Sequence, residues 1–309
     1  MGTATIETDI KPKENNWSGI KKTSSKLYHD DGNVIIIAEN TAFKVHRSVL
    51  SSHSDIFKDM ISQHSQSHEC YDGCHVINIA HTSEELRSFL EVMYSYSNLS
   101  LANSLGAINA IFKLSNEYSV ATLQIQALDI ISNLLPTTLC DFDSLAKDIE
   151  QWELGIHFIQ SVNDCNALWL LPAGLYLLNY FSSEEIAGLK LSSDLLLKFY
   201  RGLASMTTEV PQFVDSTLIQ NKKTKECCPR IWKQILAKAR SNMTNPDIVK
   251  AHVPLDYIAD LTKRGPAVNL CQACSSSFKK AAHDYREDLW SRLPSIFAIG
   301  DSWDDLGEP

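Results

Sequence analysis

The chain has 309 residues, 44% hydrophobic and 21% charged, which is enough for about two ordinary globular domains with buried cores. Its formal net charge of -9 counts against a broad nucleic-acid footprint, which needs clustered Lys and Arg to meet phosphates. The longest apolar run, residues 167–178, contains Pro172 and Gly174 and falls short of the ~20 residues that cross a bilayer. No apolar signal-peptide core opens the sequence, and Ile6 stands where a myristoylation signal wants Ser or Thr. The eight cysteines therefore read as reduced thiols, and the expected location is the cytoplasm, the nucleus or both.

Residues 1–25 are polar throughout and read as a disordered tail. An Asp30-Asp31-Gly32 turn leads into residues 34–38, a continuous β-branched run that predicts a buried strand. Ala42, Phe43 and Val45 predict a second strand, joined to the first by a short hairpin at Glu39-Asn40-Thr41. Val49, Leu50, Ile56, Phe57, Met60 and Ile61 then fall at helical spacings, as two short helices with Ser54 capping the second. Residues 62–74 read as a loop and residues 75–80 as a third strand. Thr82 or Ser83 caps a helix whose apolar face is Leu86, Phe89, Leu90 and Met93. Two more helices follow, marked by Leu105, Ile108, Ile111 and Phe112 and by Val120, Leu123, Ala127 and Ile131.

After Pro136 only helices are predicted. Residues 168–180 are apolar nearly all round, as in a central buried helix, with Pro172 kinking it or opening it. Ser182 and Ser183 before Glu184-Glu185 look like caps. Cys274, Phe278, Ala281, Tyr285 and Leu289 recur at steps of 4, 3, 4 and 4, a long amphipathic helix that ends at Leu293-Pro294. The fold class is thus α+β: a small N-terminal sheet with surrounding helices over residues 26–133, then an all-α domain over residues 134–309.

The string Phe43-Lys44-Val45-His46-Arg47-Ser48-Val49-Leu50, followed by Ser54-Asp55-Ile56-Phe57, resembles the BTB (POZ) domain. The residues that carry the signature are Asp31, Phe43, His46, Arg47, Val49, Leu50, Ser54 and Phe57. The resemblance implies structural roles for them. His46 and Arg47 would bridge backbone where strand gives way to helix, and Val49, Leu50 and Phe57 would fill the core. It also implies a homodimer through the N-terminal segment and first helix, here Trp17, Leu27, Val49 and Phe57, together with a groove for partner proteins. Many BTB proteins deliver substrates to cullin ubiquitin ligases, so a cullin is a candidate partner. The family's cullin signature requires a Glu between the third and fourth domain helices, and residues 95–103 contain none. The rest of the chain is similar to the C-terminal part of fungal, mushroom-type BTB proteins, through Leu170-Leu171-Pro172-Ala173-Gly174-Leu175-Tyr176 and through Arg286-Glu287-Asp288-Leu289-Trp290-Ser291-Arg292-Leu293-Pro294.

Cys271-x-x-Cys274 is half of a tetrahedral zinc site, since this spacing brings two sulfurs onto one metal. Cys227 and Cys228 lie just ahead of a helix and could complete it, or equally Cys228 with one histidine, His283 or His252, since adjacent cysteines rarely ligate one ion comfortably. Buried thiols on a helix face and a redox pair are the competing readings. Cys70 and Cys74, with His64, His68 and His75, form a second Cys/His patch whose default is a solvated loop. Neither Gly-x-Ser-x-Gly, a P-loop nor Gly-x-Gly-x-x-Gly occurs, and the paired carboxylates fall at helix starts or turns, where negative charge is stabilising in its own right. The sequence thus predicts a non-enzymatic interaction protein without a required cofactor. A cullin adaptor and a zinc-stabilised transcriptional regulator are the alternatives.

Overall fold

The computed structural model describes residues 17–23, 26–64, 69–95, 99–100, 104–145, 149–219, 227–244 and 253–307. The chain divides into two compact units, residues 1–130 and 131–309.

The first unit is built on a five-stranded mixed sheet, in the order β1-β3-β2-β5-β4. The strands are β1 (Lys21–Lys22), β2 (Val34–Ala38), β3 (Thr41–Val45), β4 (Cys70–Tyr71) and β5 (Cys74–Ile79). β2 is central, antiparallel to β3 and parallel to β5, with Ile36 opposite both Phe43 and Ile77. It is buried on both faces, which is why its sequence is a continuous apolar run rather than an alternation. Glu39 takes a positive φ of 51° to turn β2 into β3.

The helices of this unit are α1 (Arg47–His53), α2 (Asp55–His64), α3 (Ser83–Ser95), α4 (Leu105–Glu117) and α5 (Ala121–Ser132). Ser54 caps α2 by accepting from the Phe57 N–H at 3.0 Å, and its own hydroxyl donates to the Tyr118 carbonyl. Thr82 and Glu85 form a reciprocal pair at the start of α3: Glu85 N–H donates to Thr82 Oγ1 at 3.2 Å, and Thr82 N–H donates to Glu85 Oε2 at 3.0 Å. Phe57, Phe89 and Tyr118 then stack into one core, with Phe57 and Tyr118 centroids 4.4 Å apart.

Two expectations change here. Of the expected tail over 1–25, residues 17–23 belong to the fold, with β1 pairing in parallel on the edge of β3, and residues 1–16 and 24–25 lie outside the described residues. The expected loop over 62–74 contains the β4–β5 hairpin, turned by Asp72 (φ 49°) and Gly73 (φ 75°). Consecutive positive φ values are what a two-residue hairpin turn of the primed type requires, and Asp-Gly supplies them at low steric cost.

In the second unit every labelled element is helical: α6 (Leu139–Leu145), α7 (Ile149–Ile156), α8 (Ile159–Asp164), α9 (Leu171–Leu177), α10 (Ser183–Gly188), α11 (Ser193–Phe213), α12 (Pro229–Thr244), α13 (Pro254–Lys263), α14 (Gln272–Ser291) and α15 (Leu293–Ile296). The apolar stretch 168–180 is one buried rod, α9 flanked by 3-10 turns, and Pro172 lies in its first turn rather than kinking it. Ser182 and Glu185 form the capping box of α10. The second resemblance motif supplies this unit's polar anchors. Buried Arg286 donates to the Leu255 carbonyl at 2.8 Å and grips both carboxylate oxygens of Asp143. Arg292 pairs bidentately with Glu209 at 3.0 Å on both arms, and Glu209 is only 2% exposed. Among the described residues no helix is long and apolar enough to cross a membrane.

Candidate functional sites

Two places in the structure gather the sequence-predicted residues. The first is the junction between β3 and α1. His46 sits at the N-terminal end of α1 and is held on three sides. Its backbone N–H donates to Tyr94 Oη at 2.7 Å, its Nδ1 lies 3.1 Å from the same oxygen, and its Nε2 lies 3.2 Å from Asp31. His29 stacks on Tyr94 with centroids 5.0 Å apart. Asp31 answers with a carboxyl held below its ordinary range, chiefly by the hydrogen bond from His46. The bridging expected from this ring therefore goes to side chains, whereas Arg47 meets Asn33 through its backbone N–H at 2.8 Å. Phe43, Leu50 and Phe57 are fully buried and Ser54 nearly so, while Val49 is only half-buried.

The N-terminal segment lies across the sheet beside this junction. Trp17 Nε1 donates to the Cys70 carbonyl at 2.9 Å and its ring meets Tyr71 edge-on. Tyr28 donates to Asp72 at 2.9 Å, and Lys22 and Lys44 each approach the same carboxylate at 3.4 Å. These contacts cover an apolar face made of Ile35, Ile37, Ala42 and Val76. Of the four residues expected at a dimer interface, Leu27 (1% exposed) and Phe57 (0%) face inward and have no surface to offer. Trp17 and Val49 keep part of theirs, and Ile56, next to Phe57, is exposed.

A shallow cleft of about 340 Å³ opens between the first turns of α3 and α4, lined by Glu84, Glu85, Asn109 and Lys113 among others. The segments 96–98 and 101–103, where a cullin signature would stand, lie outside the described residues.

Residues 24–134 match the BTB/POZ domain family. This part of the chain is a BTB/POZ domain. No curated protein and no solved structure matches the chain. BTB domains mediate self-association and partner binding and are typically interaction modules rather than enzymes. In the BTB domain of this chain, the His46 contacts tie the start of α1 to Tyr94 on α3 and to Asp31 in the turn before β2.

The second place is in the other unit. Cys227, Cys228, Cys271 and Cys274 bring their four sulfur atoms within 4.8 Å of one another. Cys227 Sγ lies 3.0 Å from Cys274 Sγ, 3.3 Å from Cys271 Sγ and 3.8 Å from Cys228 Sγ. Cys227 and Cys228 occupy the bend just before α12. Cys271 is the N-cap of α14 and Cys274 lies in its first turn. The fourth member is thus Cys227, not His283, which lies nine residues beyond Cys274 and so ~13 Å further along the same helix axis. His283 is instead exposed, 3.8 Å from Glu287. His252 lies outside the described residues, as does His68, and the side chain of His64 is likewise not described. Cys70, Cys74 and His75 do not join any metal-ligand group among the described residues.

The thiols perturb one another. Cys271 is drawn down to about 7, first by the Cys274 backbone N–H and then by its sulfur neighbours, while Cys227 is pushed far up by hydrogen bonding to Cys274. Cys274 ends raised: its bond with Cys227 pulls it down, but burial and the other two thiols outweigh that bond and the Trp232 indole. Trp232 buries its indole N–H without a hydrogen bond of ordinary geometry.

Proposed function

We propose that this chain is a non-enzymatic protein–protein interaction protein that forms homodimers through its BTB domain and binds further proteins. The observation that carries the reading is the BTB/POZ match over residues 24–134. The dimer surface is formed by the N-terminal segment around Trp17 and by the outer faces of α1 and α2, with Val49 and Ile56 as its apolar contacts. Burial supports this choice, because Ile56 is 37% exposed while its neighbour Phe57 is sealed in the core. A cullin remains a candidate partner only against the absence of Glu in residues 95–103. The helical unit supplies a second contact surface, on which Leu197 and Tyr200 stand exposed three residues apart on α11.

Multi-angle light scattering of the full chain tests the reading. The expected result is a dimer, which Ile56→Asp converts to monomer with an unchanged circular dichroism spectrum. A chain that is strictly monomeric at high micromolar concentration overturns the self-association, and a dimer unaffected by Ile56→Asp overturns the surface.

A further inference from the structure

We propose that Cys227, Cys228, Cys271 and Cys274 bind one structural zinc ion that fastens the start of α12 to the start of α14. The sulfur geometry is the first argument. A zinc ion with four thiolates at about 2.3 Å spaces its sulfurs roughly 3.8 Å apart in a tetrahedron. The separations from Cys227 are 3.0, 3.3 and 3.8 Å, and all four atoms fall within 4.8 Å of each other. Sulfur is larger than carbon, whose non-bonded contacts are about 3.5–4.0 Å, so two of these distances are closer than unbonded thiols settle. A metal at the centre removes the conflict by replacing the thiol protons. The same compactness leaves no room for a polynuclear cluster, in which the protein sulfurs stand outside several metal atoms.

The ligands also arrive from two helix starts. Cys271 and Cys274 come from the first turn of one helix at the familiar two-residue spacing, and Cys227 and Cys228 from the bend that opens another. Four thiolates around a divalent ion carry a net charge of about −2, and two helix N-termini are suitable neighbours for it. Trp232 and Phe278 pack close by in the core that these helices share, with Cys274 as a member of it. Four protein ligands close the coordination sphere, so the ion has no open position for a substrate. Its role is to hold the bend at Cys227 and Cys228 against a helix start 44 residues later.

The test uses the full chain purified without a metal-affinity tag. Elemental analysis is expected to find one zinc per chain, and cobalt substitution to give the intense visible bands of a tetrahedral thiolate site. Cys227→Ser and Cys271→Ser are expected to lose the metal, whereas His283→Ala and Cys140→Ser retain it. Should the serine variants fail to fold, mercurial titration of the unaltered chain decides, with one zinc released as four thiols react. A metal-free chain overturns the proposal, as do an iron cluster, a disulfide between Cys227 and Cys274 found by mass spectrometry, or loss of zinc in His283→Ala.

Discussion

Asp256 sits in the first turn of α13, where a helix dipole ordinarily favours a carboxylate. Burial wins: desolvation pushes its pKa up to about 6 despite the attraction of Arg286 and Lys263, and Asp143 and Asp260 add to the rise. One of its oxygens is buried without a partner. Below the ordinary pKa of 3.8 both folded and unfolded chains hold the proton, and nothing is lost. Between there and about 6 only the folded chain keeps it, so stability falls as pH rises through that window. At neutral pH the ionised group costs the fold up to about 3 kcal/mol. Asp256→Asn is therefore expected to raise the melting temperature at pH 8, with the gain shrinking toward pH 4. Thermal unfolding across that range checks it; a variant less stable at pH 8, or a gap that does not change with pH, contradicts the account.

At the scale of elements, the packing of α11 depends on an absent side chain. A Cβ built on Gly202 would lie 2.1 Å from the ring of Phe297, which is fully buried and has no open space to move into. Alanine would gain up to about 1 kcal/mol of helix propensity, but overpacking a filled core costs about 1–3 kcal/mol or more. Gly202→Ala is expected to destabilise the second unit by up to about 2 kcal/mol, measured by denaturant unfolding; a raised midpoint contradicts the close contact. Nothing in the sequence near residue 202 announces Phe297, because the contact spans 95 positions. The elements that were legible are those whose signal is local. The β-branched run of β2, the caps at Ser54, Thr82 and Ser182, and the period of α14 can each be read within a few residues. β1 and β4 have only two residues each, too few for an alternation to register. The second of these still carried a signal in Tyr71-Asp72-Gly73-Cys74, an Asp-Gly turn between apolar residues. His46 could be marked as structural, yet its main partner, Tyr94, is brought to it only by the fold. Cys271 and Cys274 were legible by spacing. The partners of Cys228 were not legible: adjacent cysteines rarely ligate one ion comfortably, so Cys227 and a histidine stand equal in the sequence, and only the bend before α12 brings Cys227 to the other three sulfurs.

For the molecule as a whole, charge counts against direct contact with DNA. The first unit carries ten Lys and Arg against fifteen Asp and Glu, and the second eighteen against twenty-two, so neither conceals a basic domain behind the average. The proposed tetrathiolate zinc would add about −2 of its own, so it would not create a phosphate-binding module in the way a finger with a basic helix does. A zinc-stabilised regulator built on this chain would thus have to reach chromatin through a protein partner. Proteins that bind DNA without sequence preference do so with Kd values of about 10⁻⁴–10⁻⁶ M at physiological salt, through counterion release from neutralised phosphates. The full chain, with or without added zinc, is expected to show no saturable binding to mixed-sequence duplex DNA tighter than about 10⁻⁴ M, measured by fluorescence anisotropy at about 0.15 M salt. Lowering the salt should reveal little, because a steep salt dependence requires many phosphates neutralised at once and both halves carry net negative charge. Saturable micromolar binding that weakens steeply with added salt would reverse this conclusion and return the transcriptional reading to direct contact.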